Sequence, residues 1–229
     1  MKISTALVTH NSTDILEYSC KSILEQKIEN VQLDVVLFDN GSIDGGRTLG
    51  KLKDWAIHFN YKNIPADVCF RAKKEEEITA FFYAAKLCKG DWVCFLPGNG
   101  FYDLNYIENL NHIIDKYYSL NDTILSAYDI VDMKRNQSQI YYPSIWRNKE
   151  IFAFEQNIQL SDPIGICIKK NMLSRYFSEQ SEILYDLYVK SHFHSIAYND
   201  KKAGTLIIGE NVDKSKRKNI LNGLYTRAS

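Results

Sequence analysis

Short apolar runs alternate with amphipathic segments across the first 100 residues, and this order constrains the fold more than any other feature. The apolar runs have the length of buried strands and the segments between them have helical spacing. The predicted strands are Ile3–Thr9, Val31–Phe38, Ala66–Phe70 and Trp92–Leu96. The predicted helices carry Leu16, Cys20, Ile23, Leu24 and Lys27, then Leu49, Leu52, Ala56 and Phe59, then Glu75–Lys89. A β-α-β-α-β-α-β order predicts a parallel, doubly wound sheet.

Capping residues predict where these helices begin and end. Ser12, Thr13 and Asp14 are candidate N-caps of the first helix, and Asp44 is a candidate N-cap of the second. Gly90 follows the third helix as a candidate C-cap.

Beyond residue 100 the order of the elements changes, which indicates a mixed second half. The predicted helices are Leu104–Tyr118, Asn171–Phe177 and Glu182–Phe193. The predicted strands are Ile124–Met133, Ile140–Tyr142, Ile164–Ile168, Ile196–Tyr198 and Thr205–Ile208, with a polar turn at Lys134–Ser138. We find no repeat or linker. We therefore expect one domain over 1–229, with an α/β half at 1–100, a mixed half at 101–210 and a basic tail at 211–229.

Charge and cysteine usage exclude several classes of function. The formal net charge is zero, so no global field favours nucleic acid as a partner. The five cysteines are scattered without zinc-site spacing, which is typical of reduced thiols inside the cell. No signal-peptide core and no apolar run of about 18 residues occurs. We expect a cytoplasmic protein.

Two polar loops follow the first two predicted strands. The first reads LVTHNS, from Leu7 to Ser12, and the second reads FDNGSIDGG, from Phe38 to Gly46. Lys89-Gly90-Asp91-Trp92 leads into the fourth strand. Together these motifs resemble those of the family 2 glycosyltransferases, which have a GT-A fold. The resemblance is clear over the first 100 residues and continues loosely to about Ile208.

This resemblance implies a GT-A domain with a Rossmann-like parallel half and an acceptor-side half. It implies an enzyme that moves a sugar from a nucleotide-diphosphate donor, most simply a UDP-sugar, to a saccharide or lipid-linked acceptor in bacterial surface polysaccharide assembly. The residues it places at the nucleotide sugar are Thr9, His10, Asn11, Asp39, Asn40, Gly41 and Asn99. Arg71 is added to them because it directly follows the third predicted strand. Asp39 would bind the base or ribose, and Gly41 would let the backbone approach the nucleoside. The alternative is that these residues only build turns.

The family's metal motif is degenerate in this chain. An Asp-x-Asp element usually holds Mg²⁺ or Mn²⁺ after the fourth strand, where this chain has Pro97-Gly98-Asn99-Gly100. Asn99 offers one neutral oxygen to a hard cation, and Asp103 is expected to face elsewhere. We therefore predict no metal ligands and a weakened metal dependence. Arg71, Lys73 or Lys74 would then offset the diphosphate charge, although Glu75–Glu77 add negative charge nearby.

The catalytic base is the least constrained prediction. Direct alignment with the family places Ile183 and Leu184 where its catalytic carboxylates stand. A shift of two residues makes Asp186 the first candidate to deprotonate the acceptor hydroxyl, and Glu182 is the second. The alternative is that both are solvated helix carboxylates. His192 and His194 are two residues apart, so on a helix they point in different directions and do not predict a metal pair. The resemblance leaves one alternative, in which one of the two assists metal binding as a late His does in some relatives.

Two other classes of function remain open at this point. The first is an inactive GT-A-like domain that acts as a binding or assembly module beside an active glycosyltransferase. The second, a nucleotidyltransferase, is disfavoured because the loop after the first strand lacks a glycine-rich, basic motif. The basic run Lys214–Lys218 is a candidate for peripheral contact with anionic lipid on the inner face of a membrane, or a solvated terminus.

Overall fold

The structure is a computed structural model that describes residues 1–117, 122–135, 137–141, 163–173, 196–208 and 222. Within these ranges the strands form one nine-stranded sheet of order β3-β2-β1-β4-β8-β6-β9-β5, with β7 paired to β6. The first half supplies β1 Lys2–Thr9, α1 Leu16–Leu24, β2 Gln32–Asp39, α2 Arg47–Tyr61, β3 Ala66–Phe70, α3 Glu77–Leu87 and β4 Trp92–Pro97. The predicted β-α alternation is confirmed.

The four strands of this half are parallel and end at the same level. Thr9 at the end of β1 lies opposite Asp39 at the end of β2, and Asp39 lies opposite Phe70 at the end of β3. On the other side of β1, Val8 lies opposite Pro97, the last residue of β4. The loops that follow these strands therefore share one edge of the sheet, where parallel α/β sheets bind ligands.

The second half continues the same sheet with mixed strand directions. Its elements are β5 Gly100–Tyr102, α4 Tyr106–Tyr117, β6 Thr123–Asp132, β7 Gln137–Tyr141, β8 Ile166–Lys169 and β9 Ile196–Ile208. β8 is antiparallel to both β4 and β6, whereas β9 is parallel to β6 and antiparallel to β5. Because β4 pairs with both β1 and β8, the two halves share one continuous sheet.

Two strand predictions in this half were wrong in detail. The predicted pair Ile196–Tyr198 and Thr205–Ile208 is one strand, since Asn199 and Lys202 between them also pair with β6 across two register shifts. The short strand β5 was not predicted, because three residues after a Gly-Asn turn carry too little pattern.

The predicted helix caps were also partly wrong. α1 begins after Ile15 without a side-chain cap, and the Ser12 carbonyl instead accepts from the backbone N–H groups of Ile15 and Leu16. α3 ends at Leu87, so Gly90 is not its cap. Gly90 lies against β1, where an added Cβ would be 2.7 Å from the backbone nitrogen of Ser4. Asp44 does accept hydrogen bonds from the Thr48 backbone N–H and hydroxyl at the start of α2.

Apolar side chains cover both faces of the sheet. On one face α1, α2 and α4 bury residues such as Leu16, Phe59 and Ile107 against Ile3 and Leu7 of β1. On the other face α3 packs Ala80, Phe81, Ala84 and Ala85 against Ala6 and Val8 of β1. The alternation of these β1 side chains between the two faces explains why β1 reads as a continuous apolar run. No helix within the described residues is long and apolar enough to cross a membrane.

Candidate functional site

Four neighbouring strands carry a polar side chain where they end, and these side chains define what we call the strand-end site. Arg71 follows β3, Asp39 ends β2, Thr9 ends β1, and Asn99 lies in the turn after β4. Each has a polar group that bonds to nothing within the described residues, as detailed below. Three strand spacings of about 4.8 Å separate the outer two strands, so the site extends over about 15 Å.

Asp39 is buried and held in one orientation by its own loop. Its Oδ1 accepts from the Ser42 backbone N–H at 3.0 Å and from the Ser42 hydroxyl at 2.6 Å. The Ser42 hydroxyl oxygen accepts in turn from the Asn11 backbone N–H at 2.9 Å. Oδ2 makes no hydrogen bond within the described residues. Asp39 therefore offers a carboxylate oxygen in a fixed position to a hydrogen-bond donor.

The side chains of His10, Asn11 and Asn40 tie the site's loops together. Asn11 Oδ1 accepts from the Ile43 backbone N–H at 2.9 Å, so the first loop holds the second. His10 Nδ1 lies 3.0 Å from the Asn40 carbonyl oxygen, which can only accept, so Nδ1 carries the proton. His10 Nε2 can then accept from Asn11 Nδ2 at 3.1 Å.

Asn40 makes the corresponding connection to the third loop. Its side chain donates to the Glu75 carbonyl and accepts from the Glu75 backbone N–H, both at 3.0 Å. These residues were predicted to contact the nucleotide directly, and the structure gives their polar groups a role in positioning the loops.

Gly41 allows a close backbone approach, although the partner is a segment of this chain. Its φ is +68°, and an added Cβ would lie 2.4 Å from both the carbonyl carbon of Lys73 and the nitrogen of Lys74. The loop between β3 and α3 therefore crosses directly over Gly41. This packing places the backbone of Lys73 and Lys74 beside the strand-end site.

The guanidinium group of Arg71, the residue that follows β3, is held in a fixed position. Its backbone N–H donates to the Asp39 carbonyl, and its guanidinium carbon lies 3.8 Å from the centre of the Tyr83 ring. The half-buried guanidinium has no ion-pair or hydrogen-bond partner within the described residues. Stacking on an aromatic ring holds the group while leaving its edge N–H donors free for an anion or a carbonyl oxygen.

Thr9 and the turn after β4 lie against each other. The Gly98 backbone N–H donates to the Val8 carbonyl, and an added Cβ at Gly98 would lie 2.4 Å from Thr9 Oγ1. This buried hydroxyl has no hydrogen-bond partner within the described residues. Asn99 is held on its other side by β9, where Nδ2 donates to the Ile207 carbonyl at 2.8 Å. Asn99 Oδ1 has no partner within the described residues.

The turn after β4 does not fit a divalent cation. Mg²⁺ and Mn²⁺ require several oxygen ligands, carboxylates above all, and the side chains of 97–100 supply only Asn99 Oδ1. The residues that the structure describes contain no group of three or more potential metal-ligating side chains. We therefore derive no step that passes through a metal ion.

Asp103 lies away from this turn, beside groups of the second half. Its neighbours are the carboxylate of Asp129 and the ammonium of Lys202, which donates to Asp129 at 2.8 Å. Burial raises the pKa of Asp103 to about 6, repulsion from Asp129 adds to the rise, and Lys202 opposes it. The prediction that Asp103 faces elsewhere agrees with these contacts.

Several residues predicted to act in the site lie outside the described ranges, and two residues that shape the site were not predicted. Asp186, Glu182, His192, His194 and Lys214–Lys218 all lie outside the described ranges. Ser42, which orients Asp39, and Tyr83, which holds Arg71, were not predicted as parts of the site. Ser three residues after Asp is a recognisable turn signal, whereas nothing in the sequence pairs Tyr83 with Arg71.

The sequence is similar to those of known proteins. A model of the family described as "Glycosyl transferase family 2" matches residues 4–180. An uncharacterised glycosyltransferase of Mycoplasma pneumoniae, the MG060 homolog, is 24% identical over 176 residues, which are 75% of this chain and 55% of that protein. MG060 of Mycoplasma genitalium is 24% identical over 193 residues, 82% of this chain and 57% of that protein. The chain thus spans little more than half the length of these relatives.

Solved structures share the fold. TarS 1–349 of S. aureus in complex with UDP aligns with a TM-score of 0.65 at 16% identity, covering 99% of this chain and 71% of that one. The same protein in complex with UDP-GlcNAc aligns with a TM-score of 0.64 at 17% identity, covering 94% and 61%. The expected GT-A architecture is confirmed by this likeness.

Proposed function

The chain belongs to glycosyl transferase family 2, and on that premise we propose that it transfers a sugar from a nucleotide-diphosphate donor to a saccharide or glycoconjugate acceptor. Bacterial surface polysaccharide assembly is the process in which we place the reaction. The similar TarS structures contain UDP and UDP-GlcNAc, which supports a UDP-sugar as the donor.

The observation that carries this proposal is the row of unpartnered polar groups in the strand-end site. Asp39 Oδ2 is a fixed acceptor for the N3–H of uracil or for a ribose hydroxyl. Arg71 is a fixed donor on the neighbouring strand for a carbonyl or phosphate oxygen. Asn99 Oδ1 continues the row in the direction of β9, while the buried Thr9 hydroxyl between them lies against Gly98. A donor and two acceptors in fixed positions along a sheet edge suit a nucleotide, and turns alone do not need them.

Sugar transfer needs a base and a way to stabilise the leaving diphosphate. The acceptor hydroxyl attacks the anomeric carbon, its proton passes to a carboxylate, and the C–O bond to the diphosphate breaks. We assign the base to Asp186, with Glu182 as the alternative, on the resemblance given above. Arg71, with Lys73 and Lys74 on the loop over Gly41, would offset the diphosphate charge. We infer a weak metal dependence because the turn after β4 lacks carboxylates.

Calorimetric titration with UDP and CDP tests the role of Asp39. A carboxylate at N3 favours uracil, which has an N3–H donor, over cytosine, whose N3 is an acceptor. We expect UDP to bind at least about tenfold more tightly than CDP, and Asp39→Ala to weaken UDP binding about 10- to 100-fold. Asp39→Asn should narrow the difference between UDP and CDP, because its amide can present either a donor or an acceptor.

The matched control is Asp54→Asn, an exposed aspartate on α2, which should leave UDP affinity unchanged. Equal affinity for UDP in the wild type and in Asp39→Ala would contradict the proposed site. Mn²⁺ should change UDP affinity by less than about twofold, and a large Mn²⁺-dependent gain would contradict the inferred weak metal dependence.

A second candidate is a domain that binds nucleotide sugars or assembles beside an active glycosyltransferase without catalysing transfer. The turn Pro97–Gly100, with no carboxylate, favours it. Hydrolysis of UDP-sugars separates the two, since slow donor hydrolysis that is lost in Asp186→Asn is expected of the enzyme alone. Binding without hydrolysis or transfer would favour the second candidate. In either case we place the protein in the cytoplasm, with Lys214–Lys218 available for contact with the inner membrane face.

A further inference from the structure

Strands β7, β6 and β9 are neighbours in the second half of the sheet and share one of its faces. Gln137 of β7 lies opposite Asp132 of β6, which lies opposite Ile208 of β9. Two residues further along β7, Gln139 lies opposite Ile130 of β6. Since side chains alternate along a strand, these two rows point to the same side of the sheet.

This face contains a cavity of about 260 Å³, which we call the hairpin pocket. Its lining residues are Ile130, Asp132, Arg135, Gln137, Ser138, Gln139 and Ile208. The volume is slightly below the roughly 300 Å³ at which typical small-molecule sites begin, so the pocket suits one small ring. The lining combines two isoleucines with five polar residues.

The polar groups of the hairpin pocket are positioned and collectively neutral. Asp132 Oδ1 accepts from the backbone N–H groups of Lys134 and Arg135 at 2.9 and 3.0 Å. Arg135 Nε forms an ion pair with Asp132 Oδ2 at 3.6 Å. One carboxylate and one guanidinium thus balance each other, which disfavours a strongly charged ligand. The side-chain amides of Gln137 and Gln139 bond to nothing within the described residues and can donate and accept.

The pocket adjoins the strand-end site through β9. Ile207 forms two hydrogen bonds with Asn99. Its carbonyl accepts from Asn99 Nδ2, and its backbone N–H donates to the Asn99 carbonyl. Ile208, the next residue, lines the pocket. β9 and β7 are two strand spacings apart, about 10 Å. In a transfer reaction the attacking group must reach the donor closely, so the second substrate has to lie beside the donor site.

We propose that the hairpin pocket binds a neutral saccharide unit of the acceptor. The Ile130 and Ile208 side chains contact the C–H face of the ring, while Gln137, Gln139 and Asp132 bond its hydroxyl groups. Assignment of this sugar to the acceptor rests on the proposed transferase function. Sugar binding in the pocket does not depend on it, and the two are measured separately below.

Methyl-detected NMR of the full chain, labelled at isoleucine δ1 methyls, tests the proposal without relying on activity. The probes are methyl glucoside, methyl galactoside and methyl N-acetylglucosaminide at millimolar concentrations, with inorganic phosphate as the charged comparison. We expect saturable shifts of the Ile130 and Ile208 methyls with at least one glycoside, and none at Ile57, which is exposed on α2. Phosphate should not shift them.

The double variant Gln137→Ala/Gln139→Ala should weaken glycoside binding about tenfold, because two hydrogen-bonding groups are lost. Gln32→Ala is the matched control, an exposed glutamine at the opposite end of the parallel sheet, and should bind as the wild type does. The proposal is wrong if no glycoside shifts these methyls, if the double variant binds equally well, or if phosphate shifts them and the glycosides do not.

UDP serves as the second ligand in the same spectra. Ile43, whose backbone N–H bonds to Asn11 beside Asp39, reports on the donor site. A UDP shift at Ile43 without a glycoside shift at the pocket overturns this inference and leaves the transferase proposal standing. Glycoside binding without UDP binding upholds the pocket as a sugar site and contradicts the transferase proposal.

Discussion

Gly41 is the residue on which the packing of the strand-end site depends most directly. The backbone there needs a positive φ, and the loop carrying Lys73 and Lys74 passes within contact distance of its Cα. Gly45, four residues later, has a similar φ of +71°, yet an added Cβ there meets nothing within 4 Å. The two glycines therefore separate the cost of the backbone conformation from the cost of the close approach.

We predict that Gly41→Ala is clearly more destabilising than Gly45→Ala. The positive φ alone should cost about 1 kcal/mol in each variant. The clash at Gly41 should add about 1–3 kcal/mol and displace the loop that crosses it. Urea unfolding measures the free energies, and UDP titration should show weaker binding for Gly41→Ala only. Equal losses of stability in the two variants would contradict the close approach.

Among the elements, the turn between β4 and β5 is fixed by β9 on one side and by β1 on the other. Asn99 pairs with Ile207 through both its side chain and its backbone, while Gly98 rests on Thr9. The turn therefore joins the parallel part of the sheet to the mixed part. An aspartate at 99 would place a carboxylate against the Ile207 carbonyl.

We predict that Asn99→Asp lowers the free energy of unfolding at pH 7 by about 1–3 kcal/mol, because a donated hydrogen bond becomes a repulsive contact. Part of the loss should be recovered at pH 4, where a protonated carboxyl can donate again. Urea unfolding at both pH values provides the measurement. Asn105→Asp, an exposed change just before α4, should be close to neutral. An Asn99→Asp variant as stable as the wild type at pH 7 would show that the bond to Ile207 contributes little.

The elements also show how far the sequence pattern reaches. The four parallel strands and three helices of the first half were predicted within a few residues, because each carries a complete apolar period. β5 and the continuity of β9 were not predicted. β5 has three residues, and the middle of β9 is polar, so their pairing depends on neighbouring strands that are distant in sequence.

At the scale of the whole molecule, Asp103 lies where the two halves meet, because Gln26 of the first half donates to its backbone carbonyl. It follows β5, its backbone N–H donates to the Ala203 carbonyl of β9, and its carboxyl neighbours Asp129 of β6. The pKa of Asp103 rises from an ordinary 3.8 to about 6 in the folded protein. Between these pH values the folded state holds a proton that the unfolded state has released. Stability therefore falls as pH rises from 4 to 6, and the penalty is complete above 6.

We predict that Asp103→Asn stabilises the protein at pH 7 by about 1–2 kcal/mol and has almost no effect at pH 4. This gain in the free energy of unfolding is smaller than the full pKa shift would give, because the carboxyl is partly solvated. Urea unfolding across this pH range measures it. Asp115→Asn, an exposed change on α4, is the matched control and should show no comparable dependence on pH. A constant difference between Asp103→Asn and the wild type at all pH values would contradict the prediction.

The sequence by itself determined the α/β order, the edge of the sheet where the polar loops meet, and the identity of Asp39 and Arg71 as residues at that edge. Local periodicity and strand-end polarity are properties of short segments, so they can be read without a fold. The tertiary structure decided which of these groups are available to a ligand. Asn11 and Asn40 hold loops, Asp39 Oδ2 has no hydrogen bond to any residue that the structure describes, and Arg71 is held by Tyr83.

The tertiary structure also created the hairpin pocket from three strands whose registers no local pattern specifies. Hydrogen-bond partners and strand registers depend on contacts between segments far apart in the chain. A residue's type and local pattern therefore indicate where chemistry is placed, and the packing of distant segments decides which atoms can perform it.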